Sequence, residues 1–177
     1  MNWPNRLTLL RIVLVPIFVA LVLYGNLFMA FIVFIVASLT DALDGYLART
    51  FDQKTVFGSV MDPVADKLLL NSAYICFSVV GGLPAYLDMP IYVPVTIIGR
   101  DLIILIGIAG IYLVSGSIKI KPTVLGKITT FFQMLTIIAM LLKFYHSSWL
   151  WNVTVVLTVL SGLDYLRIGA REVNGTQ

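Results

Sequence analysis

Cysteine and histidine each occur once in this chain of 177 residues, as Cys76 and His146. A single thiol in the middle of an apolar run offers neither a disulfide nor a metal cluster, so Cys76 reads as a buried small hydrophobe. His146 falls in a short, sparsely charged connection, where a surface role is expected rather than catalysis. Charge is the larger deficit. Asp, Glu, Lys and Arg make up 12% of the chain, against about 25% in a soluble domain, while hydrophobic residues make up 59%. That balance excludes an ordinary globular core and points to a bilayer resident. Repeats and low-complexity tracts are lacking, and so is a basic arm. The net charge of +3 is carried by short clusters between apolar runs, which is how membrane topology is written, and no nucleic-acid partner is expected.

What is present is a series of six apolar segments, at about Leu7–Tyr24, Leu27–Arg49, Asp62–Leu83, Ile91–Val114, Thr123–Phe144 and Trp149–Arg167. Turn and breaker residues separate them in "YGN", "TFDQKTVFGSVM", "GGLPAYLDMP", "SGSIKIKP" and "YHSS". A spanning helix takes about 20 residues, so the length admits six spans and leaves no room for a soluble domain. The expectation is one all-α membrane domain over 1–177. The opening "IVLVPIFVALVL" behind Arg6 and Arg11 resembles a secretory signal but lacks a small-x-small site, and is expected to stay as the first span. Arg49, Lys54 and Lys67 flank the second connection, Lys119, Lys121 and Lys127 the fourth, and Arg167 and Arg171 follow the last segment. The alternate connections hold only Lys143 and His146. This bias places both termini in the cytoplasm, which agrees with an even number of spans. Trp3, Trp149 and Trp151 fall where interfacial aromatic belts are expected. Asp164 and Arg167 are spaced for an ion pair at a helix end.

Against this background the stretch from Ser38 to Leu68 gathers five of the nine acidic residues. Leu27 to Thr40 is uncharged, and fourteen helical residues cover about 21 Å of a hydrocarbon core about 30 Å thick. Asp41 is therefore expected inside the cytoplasmic boundary, with Asp66 at a similar depth below the uncharged run from Leu68 to Leu83. Asp41 and Asp44 share one helix face, as do Asp62 and Asp66. An ionised side chain at the bilayer centre costs about 2.5–3.5 kcal/mol on insertion scales, and like charges on one face repel, so a positive counterpart is required. Lys67 points about 100° away from Asp66 and cannot neutralise the cluster. Divalent cations can, and an oxygen-only donor set favours Mg²⁺, Mn²⁺ or Ca²⁺ over zinc. Two ions would suit a pyrophosphate. Gly45 and Ala48 thin the helix beside Asp44, Gly58 leaves room before Asp62, and Arg49 supplies a planar cation for phosphate oxygens.

Written out, the stretch is Asp41-x2-Asp44-Gly45-x2-Ala48-Arg49-x8-Gly58-x3-Asp62-x3-Asp66. This resembles, at all eight positions, the signature of the CDP-alcohol phosphotransferases, integral-membrane enzymes of phospholipid synthesis. "NWPNRLTLLRIVLVPIF" resembles the amino-terminal segment of the branches that make phosphatidylglycerophosphate and cardiolipin. The resemblance implies six transmembrane helices, a homodimer, and a polar cavity open to the cytoplasm from the inner membrane. Asp41, Asp44, Asp62 and Asp66 would hold two divalent cations, Mg²⁺ or Mn²⁺, and Asp66 would take the proton of the acceptor hydroxyl. Asn5, Thr8, Asp41, Gly45, Ala48, Arg49 and Gly58 would contact the CDP part of CDP-diacylglycerol. CMP would be the leaving group.

The acceptor is written less plainly. Arg100, Lys119, Lys121 and Lys127 make a basic set suited to a phosphorylated alcohol. The bland readings are internal charge balance for Arg100–Asp101 and topology for the lysines. Glycerol 3-phosphate is the expected acceptor. "IIGRDLIILI" and "IKIKPTVLGKITTFFQ" also resemble segments of the cardiolipin-forming branch, whose acceptor is phosphatidylglycerol. The branch that uses glycerol 3-phosphate more often carries Arg-Glu where this chain has Arg100-Asp101. An ion channel or carrier would explain the buried acids but not Gly45, Ala48 and Arg49 at fixed spacing. Intramembrane prenyltransferases need more spans than this length supplies.

Overall fold

The computed structural model describes residues 3–50, 56–115, 123–144 and 147–174, with side chains for 9–40, 67–108, 110, 123–144 and 147–170. Among these residues the fold is all helical, with no strand. The helices are α1 (Trp3–Leu23), α2 (Leu27–Thr50), α3 (Val56–Val79), α4 (Tyr92–Ser115), α5 (Val124–Leu141) and α6 (Ser147–Asn174). Two stretches, Val124–Leu141 and Ser147–Ala170, are long and apolar enough to cross a membrane, and Leu9–Leu23, Leu27–Thr40 and Lys67–Val79 are shorter apolar stretches. Large apolar side chains cover the outer surface, among them Phe28, Val95, Ile106, Phe131 and Trp149. An apolar exterior of this extent marks a surface built for lipid.

Local chemistry explains the breaks. α1 and α2 are joined through Tyr24–Asn26, where Gly25 takes a φ of +72° that a side chain would resist. Asn26 then accepts a hydrogen bond from the Met29 amide at 3.4 Å. Thr123 caps α5 by accepting from the Gly126 amide at 3.0 Å.

The helices pack as two groups. In the first, α1 lies against α2 and α3 around an aromatic cluster. Phe18 stands 5.9 Å from Phe34 and 6.5 Å from Phe77, centroid to centroid. In the second, α6 packs against both α4 and α5. Contacts of α3 with α4 and α5, and of α2 with α5, join the groups. The Tyr74 hydroxyl donates to the Gln133 carbonyl across one of these joins at 3.0 Å.

Between α5 and α6 runs a buried polar seam. Thr129, Gln133 and Thr136 face Thr154, Thr158 and Ser161, all fully buried. Thr136 and Thr154 share a hydrogen bond of 2.8 Å, and Gln133 donates to Thr158 at 3.4 Å. Most of the threonine hydroxyls also bond a carbonyl one turn back, as Thr136 does to Phe132. The far end of the bundle is closed by the α3–α4 connection. There Leu87 and Met89 are buried, the Met89 amide donates to the Phe77 carbonyl, and the Ser147 hydroxyl donates to the Tyr86 carbonyl.

Several expected boundaries move. α3 begins at Val56 rather than Asp62, because Val56, Phe57, Val60 and Met61 already repeat at helical spacing. Gly58 therefore lies within a helix rather than in a connection. α3 ends at Val79 rather than Leu83, stopped by Gly81–Gly82, with Gly82 at φ +80°. α6 runs on to Asn174, so Asp164 and Arg167 are not at its end and form no ion pair. Trp149 is exposed, but Trp151 is buried in the core rather than set in an interfacial belt. Cys76 is buried as expected. His146 lies outside the described residues.

Candidate active site

The eight signature positions fall on two neighbouring helices. Asp41, Asp44, Gly45, Ala48 and Arg49 belong to α2, and Gly58, Asp62 and Asp66 to α3. Their side chains, and those of Asn5 and Thr8 on α1, lie outside the described side chains, and Lys119 and Lys121 lie outside the described residues. Among the described residues there is no cluster of three or more His, Cys, Asp or Glu.

The packing nevertheless fixes the register of the three helices. On α2 the buried stripe is Ala30, Phe34 and Ala37, and the next positions at helical spacing are Asp41 and Asp44. On α3 the buried stripe runs Phe77, Ala73 and Leu70, and Asp66 and Asp62 continue it. The Phe18–Phe34 and Phe18–Phe77 contacts set the levels, since α1 runs antiparallel to α2 and parallel to α3. Counting down two turns from those rings brings position 41 of α2 level with position 70 of α3. Position 66 is then one turn beyond, about 6 Å along the axis.

A second polar group lies beside this region and is fully described. Lys67, next to Asp66, places its Nζ 2.9 Å from both carboxylate oxygens of Asp101 on α4. Arg100 Nη1 donates to Asp101 Oδ1 at 2.9 Å, and Nη2 donates to the Ser161 hydroxyl on α6. The guanidinium also lies over the Tyr165 ring, with Cζ 5.6 Å from its centroid. Arg100 is 8% exposed and Asp101 7%. The pair balances charge internally, which is one of the two expected readings, and Arg100 lies beside the first turn of α5.

A Cβ built on Gly126 would lie 3.3 Å from Arg100 Nη2 and 3.2 Å from the Tyr165 ring. Glycine there lets α5 approach the guanidinium closely. Lys127, the next residue, is exposed. Sequence reasoning missed Ser161, Tyr165 and Gly126. The local signal for the first two was a polar pair at i and i+4 on α6, which did not connect them to a residue 61 positions away.

Residues 1–160 match the family model described as CDP-alcohol phosphatidyltransferase, and the chain belongs to that family. It is 34% identical to a probable phosphatidylglycerophosphate synthase of Mycobacterium tuberculosis, over 98% of this chain and 84% of the relative. It is 35% identical to the CDP-diacylglycerol–glycerol-3-phosphate 3-phosphatidyltransferase of Bacillus subtilis, over 93% of each chain. A cardiolipin synthase (CMP-forming) of Rattus norvegicus is 32% identical over 96% of this chain and 62% of its own length.

Proposed function

We propose that this protein transfers the phosphatidyl group of CDP-diacylglycerol to glycerol 3-phosphate, releasing CMP. The observation that carries the reading is the complete eight-position signature on adjacent helices of a family member whose full-length relatives bear that name. The chain acts as one membrane domain over 1–177, with six spans, both termini in the cytoplasm and the reaction at the inner face of the inner membrane. It works as a homodimer.

Four carboxylates without nitrogen or sulfur donors fit a hard divalent cation, Mg²⁺ or Mn²⁺. Asp41, Asp44, Asp62 and Asp66 would hold two of them. When bound, the cations offset the charge of the pyrophosphate and of departing CMP. Asn5, Thr8, Asp41, Gly45, Ala48, Arg49 and Gly58 receive the CDP moiety, the small residues leaving room and Arg49 meeting phosphate oxygens. Asp66 accepts the proton of the acceptor hydroxyl, whose oxygen attacks the phosphorus carrying diacylglycerol. The bond from that phosphorus to the CMP oxygen breaks. Base assistance of this kind contributes about 10²–10⁴-fold.

Arg100, Lys119, Lys121 and Lys127 attract the phosphate of the acceptor. Of the two described members of the set, Lys127 is exposed, and Arg100 is buried beside the neighbouring Gly126. A second reading, with phosphatidylglycerol as acceptor, is favoured by the cardiolipin synthases among the relatives.

Purified protein with CDP-diacylglycerol and Mn²⁺ is expected to release CMP when glycerol 3-phosphate is added, and not with serine or inositol phosphate. CMP release with phosphatidylglycerol alone would select the second reading. Asp66→Asn should lower turnover at least a hundredfold. Activity that survives complete chelation would refute the metal assignment.

A further inference from the structure

Arg11 is fully buried, although it stands on an apolar helix more than two turns from the start of α1. A guanidinium stays charged at any physiological pH, and burying such a charge is tolerated only against an anion. Its position identifies the anion. Arg11, Val15, Phe18 and Val22 follow one another at spacings of four, three and four, so they share one face of α1. Phe18 and Val22 are fully buried, and Val15 packs on the same core. That face meets α2 and α3.

The antiparallel register of α1 and α2 then fixes the level. Phe18 pairs with Phe34, and Val22 and Ala30, both fully buried, have the same index sum of 52. Two turns below Phe18 the same sum matches Arg11 with Asp41. Asp41 is also the next position on the α2 stripe of Ala30, Phe34 and Ala37. On α3, Arg11 is level with Leu70, one turn from Asp66. The described acids, Asp88, Asp101 and Asp164, lie on the α3–α4 connection, α4 and α6, away from this face. All the acids of α2 and α3 belong to the signature.

We infer that Arg11 pairs with Asp41 and is a positioning residue for the carboxylate cluster. It is a built-in cation that offsets the repulsion between Asp41 and Asp44 and fixes the Asp41 carboxylate with its planar fork. This role supplies the positive counterpart that the clustered acids require and that Lys67, engaged by Asp101, does not provide. The catalytic part of the inference rests on the transferase reading; the pairing itself does not.

The test is a thermodynamic cycle in detergent with a chelator present, using Arg11→Met, Asp41→Asn and the double variant. Each single variant should lower the unfolding midpoint by several degrees, and the double variant should lose clearly less than the sum. Additive losses would overturn the pairing. Should Arg11→Met fail to fold, Arg11→Lys takes its place in the cycle, with the same two outcomes.

Arg11→Lys keeps the charge but not the fork. It should raise the Mn²⁺ concentration for half-maximal CMP release at least threefold, and an unchanged requirement would overturn the positioning role. Coupling in the cycle with no CMP release from the wild-type chain would instead sink the transferase reading and leave the pair standing.

Discussion

Asp101 is the residue on which two buried or half-buried cations depend. Lys67 reaches it from α3, and Arg100 from its own helix. Removing one partner of a buried ion pair costs about 3–5 kcal/mol, because the other charge is left uncompensated. Asp101→Asn is therefore expected to destabilise the protein by about 3 kcal/mol, read from chemical unfolding in micelles. A loss below about 0.5 kcal/mol would mean that Arg100 finds sufficient partners in Ser161 and Tyr165. The adjacent opposite charges of Arg100–Asp101 were visible in the sequence as a pair. The engagement of Lys67 was not, since it joins residues 34 apart and depends on how α3 meets α4. In the sequence Arg11 is only a basic residue ahead of an apolar run, because packing alone reveals that a basic residue near a helix start is fully buried.

At the scale of the helix, the end of α5 carries a conformation that its residue does not favour. The Phe144 amide donates to the Ala139 carbonyl and the Lys143 amide to that of Met140, the pattern of a Schellman turn. The position that calls for glycine holds Lys143 at φ +62°. A left-handed conformation costs a side-chain-bearing residue about 1–2 kcal/mol, so Lys143→Gly should raise stability by about 1 kcal/mol, measured by the same unfolding assay. A decrease would show that the lysine contributes more outside the turn than it loses within it.

Helix number and most helix limits were legible, because apolar runs bounded by glycine, proline and asparagine are local signals. The start of α3 was not. The charged and polar residues of "TFDQKTVFGSVM" masked the helical repeat of Val56, Phe57, Val60 and Met61. The end of α6 was missed for the opposite reason, since the helix outlasts its hydrophobic stretch. The stripe that carries Asp41 and Asp44 was readable from spacing alone. Its level relative to α1 and α3 required the contacts of Phe18.

For the whole molecule, the α5–α6 seam shows how two apolar helices choose one another. Leucine against lipid and leucine against leucine differ little, so specific hydrogen bonds and small residues set the pairing. Thr129, Gln133 and Thr136 recur at the spacing of Thr154, Thr158 and Ser161, which aligns the seam along its length. Thr136→Val and Thr154→Val should each cost about 0.6 kcal/mol, and the double variant little more than either alone, because the two hydroxyls satisfy each other. Full additivity in unfolding measurements would show that each acts through its bond to the Phe132 carbonyl.

The closed end of the bundle bears on traffic through the protein. Leu87 and Met89 are buried beside Phe77, and the connection that carries them is tied to α3 by a backbone hydrogen bond and to α6 by the Ser147 hydroxyl. A stopper of apolar side chains stands at that end in place of a passage along the bundle axis.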